Sequence, residues 1–293
     1  MTTTTKRKGR GKSRTSLDLI AASHEILAAI QPATVRAVCY QLFTRGVIAN
    51  MGQNEAGKVS KQLVYARESG IIPWEWIVDE TRAAERPGTW DNPDQIIRSA
   101  VVNYRRDYWQ DQTVRVEVWS EKGTVRGTLA PVLRELGVTF RVMHGFGSAT
   151  TVNEIAEISN ESDKPLIALY VGDFDPSGLF MSEADLPRRL ERYGGKVHLQ
   201  RIALLPEDTA DLPSFDAVTK VGDSRHRWFV ENYGTRCWEL DAMPPPELRA
   251  RVEQEIRSYI EPELWDRAIE VEGVETASMR EFFETWREIR TGA

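Results

Sequence analysis

PLIALYVGDFDPSG, residues 165–178, is the stretch of sequence that decides the fold. Its continuous apolar run is typical of a strand that is covered on both faces. Asp173 and Asp175 follow this run with one residue between them. Side chains two positions apart in extended chain point the same way, so both carboxylates face one side. Pro176 then ends the strand and begins a tight turn.

The sequence on either side of this strand alternates between strand and helix patterns. The other predicted strands are TVRVEVWS (113–120), VTFRVMHG (138–145) and KVHLQRIALL (196–205). The helices between them are GTLAPVLRELG (127–137), ATTVNEIAEISNE (149–161) and SEADLPRRLERYG (182–194). This rhythm predicts an α/β fold in which a parallel sheet is covered by helices on both faces.

Three carboxylates lie where a parallel sheet places its ligands, beyond the carboxyl ends of the strands. Glu121 directly follows strand 113–120, and Asp173 and Asp175 follow the apolar strand. Carboxylate oxygens are ligands that Mg²⁺ accepts while keeping water and substrate phosphate in its shell. The sequence therefore predicts a magnesium site for phosphodiester chemistry, with the neighbouring Lys122 as a candidate phosphate contact.

The N-terminal part has a different, helical texture. Apolar spacing predicts one helix from Ser16, a second from Thr34 to near Gly46, and a third after Gly57 that stops at Gly70. An extended segment, residues 71–82, follows. This order is that of a winged helix-turn-helix, and a generic three-helix bundle is the alternative.

Two further segments separate this part from the α/β region. Residues 83–95 are rich in Pro, Gly and Asp and are predicted to form a loop. Residues 94–110 have a helical pattern that interleaves basic and aromatic side chains. Such a helix suits contact with nucleic acid, and it equally suits docking onto the next domain.

Charge is distributed unevenly along the chain. The net charge is −6, and the first fifteen residues contribute +6, so the rest carries −12. A disordered basic tail on an acidic body is one way to bind a phosphate backbone, and a solubilising tail is the other interpretation. The basic residues of the tail assigned to DNA binding are Lys6, Arg7, Lys8, Arg10 and Lys12.

Composition excludes several other classes of protein. Cys39 and Cys237 have no metal-ligand spacing, which argues against a structural zinc site and fits a reducing cytosol. No apolar run is long enough for a membrane span, and the basic N-terminus lacks the apolar segment of a signal peptide. A cytoplasmic, nucleoid-associated protein is expected.

Glu121 after one strand and VGDFDPSG (171–178) after a later one resemble the Toprim domain of topoisomerases, bacterial-type primases and nucleases. More narrowly, the chain resembles the topoisomerase VI A subunit and its meiotic double-strand-break relative. WELDAMPPPELRARVEQEI (238–256) resembles the segment that closes such domains. The resemblance covers about residues 30–260, and its Toprim part is the most specific.

The resemblance implies a particular nucleophile. In that family a winged-helix domain donates a catalytic tyrosine four residues after an arginine, and Arg36 and Tyr40 have this spacing. Tyr40 is then expected to attack a phosphodiester and form a 5′-phosphotyrosyl link, with Arg36 stabilising phosphate charge. Tyr65 on the next helix is the tyrosine to compare with it. The resemblance also implies a homodimer, in which the tyrosine of one protomer lies beside the metal site of the other.

The expected organisation is a basic tail (1–15), a winged-helix domain (16–95), a Toprim domain (96–260) and C-terminal helices (261–293). The expected activity is magnesium-dependent DNA cleavage and rejoining, with a separate GHKL-type ATPase subunit as a potential partner. Two alternatives stay open: a Toprim nuclease that uses activated water, and a non-catalytic DNA-binding protein. Beyond the main site, His144, Ser148, Asp223, Arg225, His226, Arg227, Glu239 and Asp241 are secondary candidates.

Overall fold

A computed structural model of the protein describes residues 12–78, 88–143, 149–216 and 225–291. The strands within these ranges are β1 (Arg115–Ser120), β2 (Thr139–Val142), β3 (Leu166–Val171), β4 (Val197–Ala203), β5 (Phe215–Asp216) and β6 (Arg236–Cys237). The helices are α1 (Arg14–Ile30), α2 (Val35–Thr44), α3 (Gln53–Glu68), α4 (Pro93–Asn103), α5 (Val125–Glu135), α6 (Ala149–Asn160), α7 (Pro176–Phe180), α8 (Leu186–Arg192), α9 (His226–Tyr233), α10 (Pro245–Arg257) and α11 (Pro262–Thr291). A π-helical turn, Met181–Asp185, joins α7 to α8.

The predicted parallel sheet is confirmed. Four strands pair in the order β2-β1-β3-β4, and every pairing is parallel. The apolar strand β3 lies between β1 and β4, and it is buried along its whole length because helices cover both faces of the sheet. Ser120 at the end of β1 lies beside Val171 at the end of β3, so the chain segments that follow these strands leave the sheet together.

Helices cover both faces of the sheet, as the alternating pattern predicted. On one face Val118 and Leu169 pack against residues of α5 and α10. On the other face Trp119 and Tyr170 pack against residues of α6 and α8. Successive side chains of β3 therefore point alternately into two separate cores. Because both cores are apolar, no position of β3 carries a charged or strongly polar side chain.

The first three helices form a core of their own around buried residues such as Ile26, Leu42 and Leu63. Thr34 caps α2 by accepting the amide of Ala37 at 3.1 Å, as the sequence suggested. The first helix begins at Arg14, inside the segment assigned to the basic tail, because Ser13 caps it. The third begins at Gln53, before Gly57, so this glycine lies within the helix.

The segment after the third helix was predicted to be extended, and this prediction is wrong. Within residues 71–78, Trp74–Trp76 form one 3₁₀ turn, and Ile77 makes a single parallel bridge with Ala33. Pro73, which precedes this turn, has no amide hydrogen to continue a strand ladder. Residues 79–82 of the predicted arm lie outside the described residues.

The basic and aromatic stretch 94–110 contacts the C-terminal helix. Helix α4 starts at Pro93, within the predicted loop, and ends at Asn103 rather than 110. Beyond it, Arg106 donates to Glu275 at 3.0 Å, and the Tyr104 hydroxyl donates to the same carboxylate at 2.5 Å. Trp265 packs edge-on against Tyr108 at 4.9 Å between ring centroids. These contacts favour the docking interpretation over the nucleic-acid one.

No helix in the described ranges is long and apolar enough to cross a membrane. Cys39 and Cys237 are both free thiols and both buried.

Candidate active site at the carboxyl edge of the sheet

The three predicted carboxylates are grouped around the end of β3. Burial is the largest cause of the raised pKa of the Tyr170 phenol, and Arg201 opposes it. Glu121, Asp173 and Asp175 each raise that pKa further, so all three exert their charge on the same buried ring. The strand pairing explains this, because β1 and β3 are neighbours and end at the same level.

The turn after β3 is fixed by backbone hydrogen bonds. Phe174 exchanges two of them with Trp238, at 2.8 and 3.0 Å, which places Phe174 toward the core. Asp175 caps α7 by accepting the amide of Gly178 at 2.7 Å, and Pro176 takes the first helical position. Asp173 and Asp175 flank the inward Phe174, and their carboxylates have different partners: Asp173 binds Lys122 and Leu240, whereas Asp175 accepts from Gly178.

Gly178 is required by close packing rather than by an unusual backbone angle. A Cβ atom at this position would lie 2.4 Å from the carbonyl oxygen of Asp173. Any side chain here would therefore push apart the two ends of the acidic turn.

Arg201 of β4 lies beneath this turn and was not identified from the sequence. Its guanidinium donates to the carbonyl oxygens of Leu204 (2.9 Å), Gly178 (3.1 Å) and Gly172 (2.9 Å), and also to Asp173 O and Ser182 Oγ. An arginine has five N–H groups, and here all of them are used. The available signal was a lone arginine in a strand that is predicted to be covered on both faces.

Lys122 links two carboxylates at the surface of the site. Its ammonium lies 2.7 Å from Asp173 Oδ2 and 3.7 Å from Asp241 Oδ2. Burial lowers the pKa of Lys122, but the two carboxylates outweigh this effect and raise it. Asp173 also accepts the backbone amide of Leu240 at 2.8 Å. The residue proposed as a phosphate contact is thus engaged by an acid of its own chain.

Arg36 and Asp241 extend this cluster to α2. Arg36 donates from Nε (2.7 Å) and Nη2 to the same oxygen of Glu239, and its Nε lies 3.6 Å from Asp241 Oδ2. Asp241 is 7% exposed, and burial is the main cause of its raised pKa. Glu239 and Asp241, which the sequence marked as secondary candidates, are therefore central members of the cluster.

Tyr40 lies one helical turn beyond Arg36, with the guanidinium 5.8 Å from its ring centroid. Tyr40 is 5% exposed, and this burial is the largest cause of the raised pKa of its phenol. Glu239 raises that pKa further by its charge and by a hydrogen bond, whereas Arg36 lowers it. The hydroxyl of Tyr40 is therefore held in its protonated form beside a carboxylate.

Tyr65 has a different environment. It lies on α3, is 36% exposed, and has the Lys12 ammonium 4.1 Å from its ring centroid. Lys12 also donates to Gln62 at 2.8 Å. Lys12, the last of the tail residues that were assigned to DNA binding, is thus packed on α3. Tyr65 is separate from the acidic cluster.

The fit of a divalent cation can be tested on the carboxylates themselves. Among the described residues, no three Asp, Glu, His or Cys side chains are arranged to hold a metal ion together. Asp241 Oδ2 is nevertheless buried without a hydrogen bond, and a lysine ammonium lies between it and Asp173. Carboxylate oxygens are the donors that Mg²⁺ prefers, so the chemistry of these side chains suits the ion, but here the Lys122 ammonium lies between Asp173 and Asp241.

Several predicted residues lie outside the described ranges, namely Lys6, Arg7, Lys8, Arg10, His144, Ser148 and Asp223. Arg225 is described and lies with its guanidinium 5.8 Å from the ring of Phe180. Arg227 pairs with Glu231 on the exposed face of α9.

Comparison of the chain with models of known protein families and with curated proteins found no match.

Proposed function

We propose that this protein is a magnesium-dependent DNA-cleaving transesterase of the topoisomerase VI A type, and that Tyr40 is its nucleophile. One observation carries the proposal: Arg36, on the same helix as Tyr40, bonds to the carboxylate cluster that also contains Asp173. A phenol, a guanidinium and several carboxylates are thus present within one connected network. These are the groups that attack on a phosphodiester requires.

The proposed reaction has a simple balance of bonds and protons. The Tyr40 oxygen forms a bond to phosphorus, the P–O3′ bond breaks, and the 3′ oxygen takes a proton from solvent. The phenolic proton passes to Glu239, whose charge contributes to the raised pKa of this hydroxyl. The reverse sequence rejoins the strand, because the phosphotyrosyl link conserves the energy of the broken bond.

Arg36 and Lys122 have matching roles. Each is a cation that is held by a carboxylate of the chain. In the proposed reaction each moves to a phosphate oxygen when DNA binds. The guanidinium suits two phosphate oxygens at once. Glu121, Asp173 and Asp175 are the residues that would hold a magnesium ion, which when bound would neutralise charge at the phosphate.

Covalent trapping tests the proposal. The protein is incubated with end-labelled duplex DNA and Mg²⁺ and stopped with denaturant, and protein attached to 5′ ends is measured. We expect adducts with the unaltered protein and none with Tyr40→Phe. Tyr65→Phe is the matched control, since Tyr65 is an exposed tyrosine on the next helix, and it should leave the adduct yield unchanged.

A metal-dependent nuclease that uses water is the second candidate. The burial of Tyr40 favours it, because a nucleophile that is 5% exposed reaches DNA only after local rearrangement. In that case Tyr40→Phe would still cut DNA without forming adducts, and Asp173→Asn would not cut. DNA binding without cleavage under any divalent metal would instead indicate a non-catalytic DNA-binding protein.

A further inference from the structure

We infer that a groove at the amino edge of the parallel sheet, the edge opposite the acidic turn, binds the phosphate group of a ligand. The first residues of β1, β2 and β3, which are Arg115, Thr139 and Leu166, line this groove. Its volume is about 420 Å³, and sites for small molecules measure about 300–1,000 Å³. The chain from Arg115 to Glu121 spans about 20 Å in extended form, so the groove is separate from the candidate active site.

Two cations line the groove, and neither has a carboxylate partner among the residues that the structure describes. Arg115 donates to the carbonyl oxygen of Ile158 at 3.1 Å. Lys164 donates to the carbonyl oxygens of Trp109, at 3.2 Å, and Gln110. Outside the first fifteen residues the chain has a net charge of −12, so two cations without an acidic partner in one groove are an exception to its charge pattern.

Most of the hydrogen-bonding capacity of Arg115 is unused. Its guanidinium has five N–H groups, and one of them donates to Ile158, whose carbonyl is among the last four of α6. The carboxyl end of a helix carries only a partial negative charge, so this contact compensates part of the positive charge. The Nε atom of Arg115 is buried and has no acceptor in the described part of the chain. The guanidinium therefore retains donors for a ligand that brings acceptor oxygens.

The two acids that line the groove are bound by other groups. Glu117 accepts two hydrogen bonds from Arg141, both at 2.8 Å, and a third from the indole of Trp119 at 2.7 Å. Asp107 accepts the backbone amide of Trp109 at 2.9 Å. Neither acid forms an ion pair with a cation of the groove, and the positive charge there is left for a ligand.

A phosphate group matches the donors of the groove better than a carboxylate does. A guanidinium suits two phosphate oxygens at once, and the Lys164 ammonium adds a compact second charge. The hydroxyls of Thr139 and Ser162 and the amide of Gln110 also line the groove and are able to donate. These donors outnumber the two oxygens of a carboxylate, whereas a phosphate ester presents three free oxygens. The phosphate belongs either to a free phosphate ester or to a nucleic-acid backbone.

Isothermal titration calorimetry of the full chain without Mg²⁺ tests this assignment. The probes are inorganic phosphate, adenosine monophosphate, adenosine, acetate and a short DNA strand without terminal phosphates. The test variant carries Arg115→Gln and Lys164→Gln. The matched control carries Arg188→Gln and Arg192→Gln, which remove two exposed arginines of α8 and change the net charge by the same amount.

We expect phosphate and adenosine monophosphate to bind the unaltered protein and the control with equal affinity. The test variant should bind them at least about tenfold more weakly, because it lacks both charged donors. Adenosine, which has no phosphate, should not bind, and acetate should bind more weakly than phosphate. The DNA strand distinguishes the two sources. If the strand binds, the monophosphate does not, and the test variant loses the strand, the phosphate is that of a nucleic-acid backbone.

Three results would overturn the assignment: equal affinities of the test variant and the control, no binding of any phosphate probe to the unaltered protein, or acetate binding as tight as phosphate binding. Thermal melting checks that each variant is folded. If the double variant melts below the control, Arg115→Gln alone replaces it, because the side chain of Arg115 has a single carbonyl partner. DNA cleavage is not among these readouts, so the proposed function stands or falls separately.

Discussion

Arg201 is expected to hold the acidic turn in place, and Arg201→Met is the perturbation that measures this. The substitution keeps an unbranched side chain of comparable length and removes all five N–H donors. Those donors reach four backbone carbonyls and one hydroxyl around the turn. The turn presents Asp173 and Asp175, so both stability and metal binding should respond.

The size of the effect follows from which acceptors keep another donor. Gly172 O still receives the amide of Leu204 at 2.9 Å, and Gly178 O still receives the hydroxyl of Ser182 at 3.1 Å. Among the described residues, Asp173 O and Leu204 O have no donor besides Arg201. Leaving a buried acceptor unsatisfied costs about 1–3 kcal/mol, so two of them cost about 2–6 kcal/mol.

Removing the buried positive charge of Arg201 offsets part of this loss of stability. Burial lowers the pKa of Arg201, which means that its environment disfavours the charged form. The net expected loss in the free energy of unfolding is therefore about 3 kcal/mol. Arg201→Lys keeps the charge but not the planar array of donors, and an intermediate loss is expected.

The assay is equilibrium unfolding in urea, followed by tryptophan fluorescence and far-UV circular dichroism. Arg115→Met is the matched control, because Arg115 is a strand arginine of the same sheet with one carbonyl partner, Ile158 O at 3.1 Å. It should lose less than about 1 kcal/mol. The reasoning is refuted if Arg201→Met is no more destabilising than Arg115→Met.

Two other substitutions probe the same site. Gly178→Ala places a Cβ atom 2.4 Å from Asp173 O, so we expect a loss of about 1–3 kcal/mol in urea unfolding and loss of DNA cleavage. Gly57→Ala on α3, where a Cβ atom meets nothing within 4 Å, should instead gain about 0.5–1 kcal/mol, and equal effects of the two would contradict this account. Asp241→Asn should leave stability at neutral pH equal or higher, because burial raises the pKa of Asp241 and the folded state thus favours its neutral form. The stability that protonated Asp241 contributes is present at pH below the ordinary pKa of aspartate, and it is lost as the pH rises through the raised pKa of the folded state. Over that interval the unaltered protein should lose stability relative to Asp241→Asn. Parallel pH profiles of the two melting temperatures would contradict this prediction.

The sequence predicted most of the α/β region. The continuous apolar run of β3 and the strand–helix alternation around it allowed one arrangement, a parallel sheet covered on both faces. The position of Glu121 and Asp173 at a common edge followed from that arrangement, since parallel strands end on the same side. These features are local patterns repeated along the chain, and they are readable without knowledge of what packs against them.

The predictions that failed depended on contacts distant in sequence. The segment after α3 was expected to be extended, but Ile77 finds a single bridging partner in Ala33. The basic and aromatic stretch after α4 had two equal interpretations until Glu275 was seen to bind Tyr104 and Arg106. Nothing near residue 104 in the sequence indicates a carboxylate at position 275.

By itself, the sequence determined the α/β class, the parallel sheet and the edge at which the acids gather, because hydrophobic periodicity and strand ends are local properties. The tertiary structure alone decided how those acids are compensated. It placed Lys122 between Asp173 and Asp241, brought Arg36 to Glu239, and set Arg201 beneath the turn. Buried charges take whichever partners folding brings within about 4 Å, and those partners come from segments far apart in the chain.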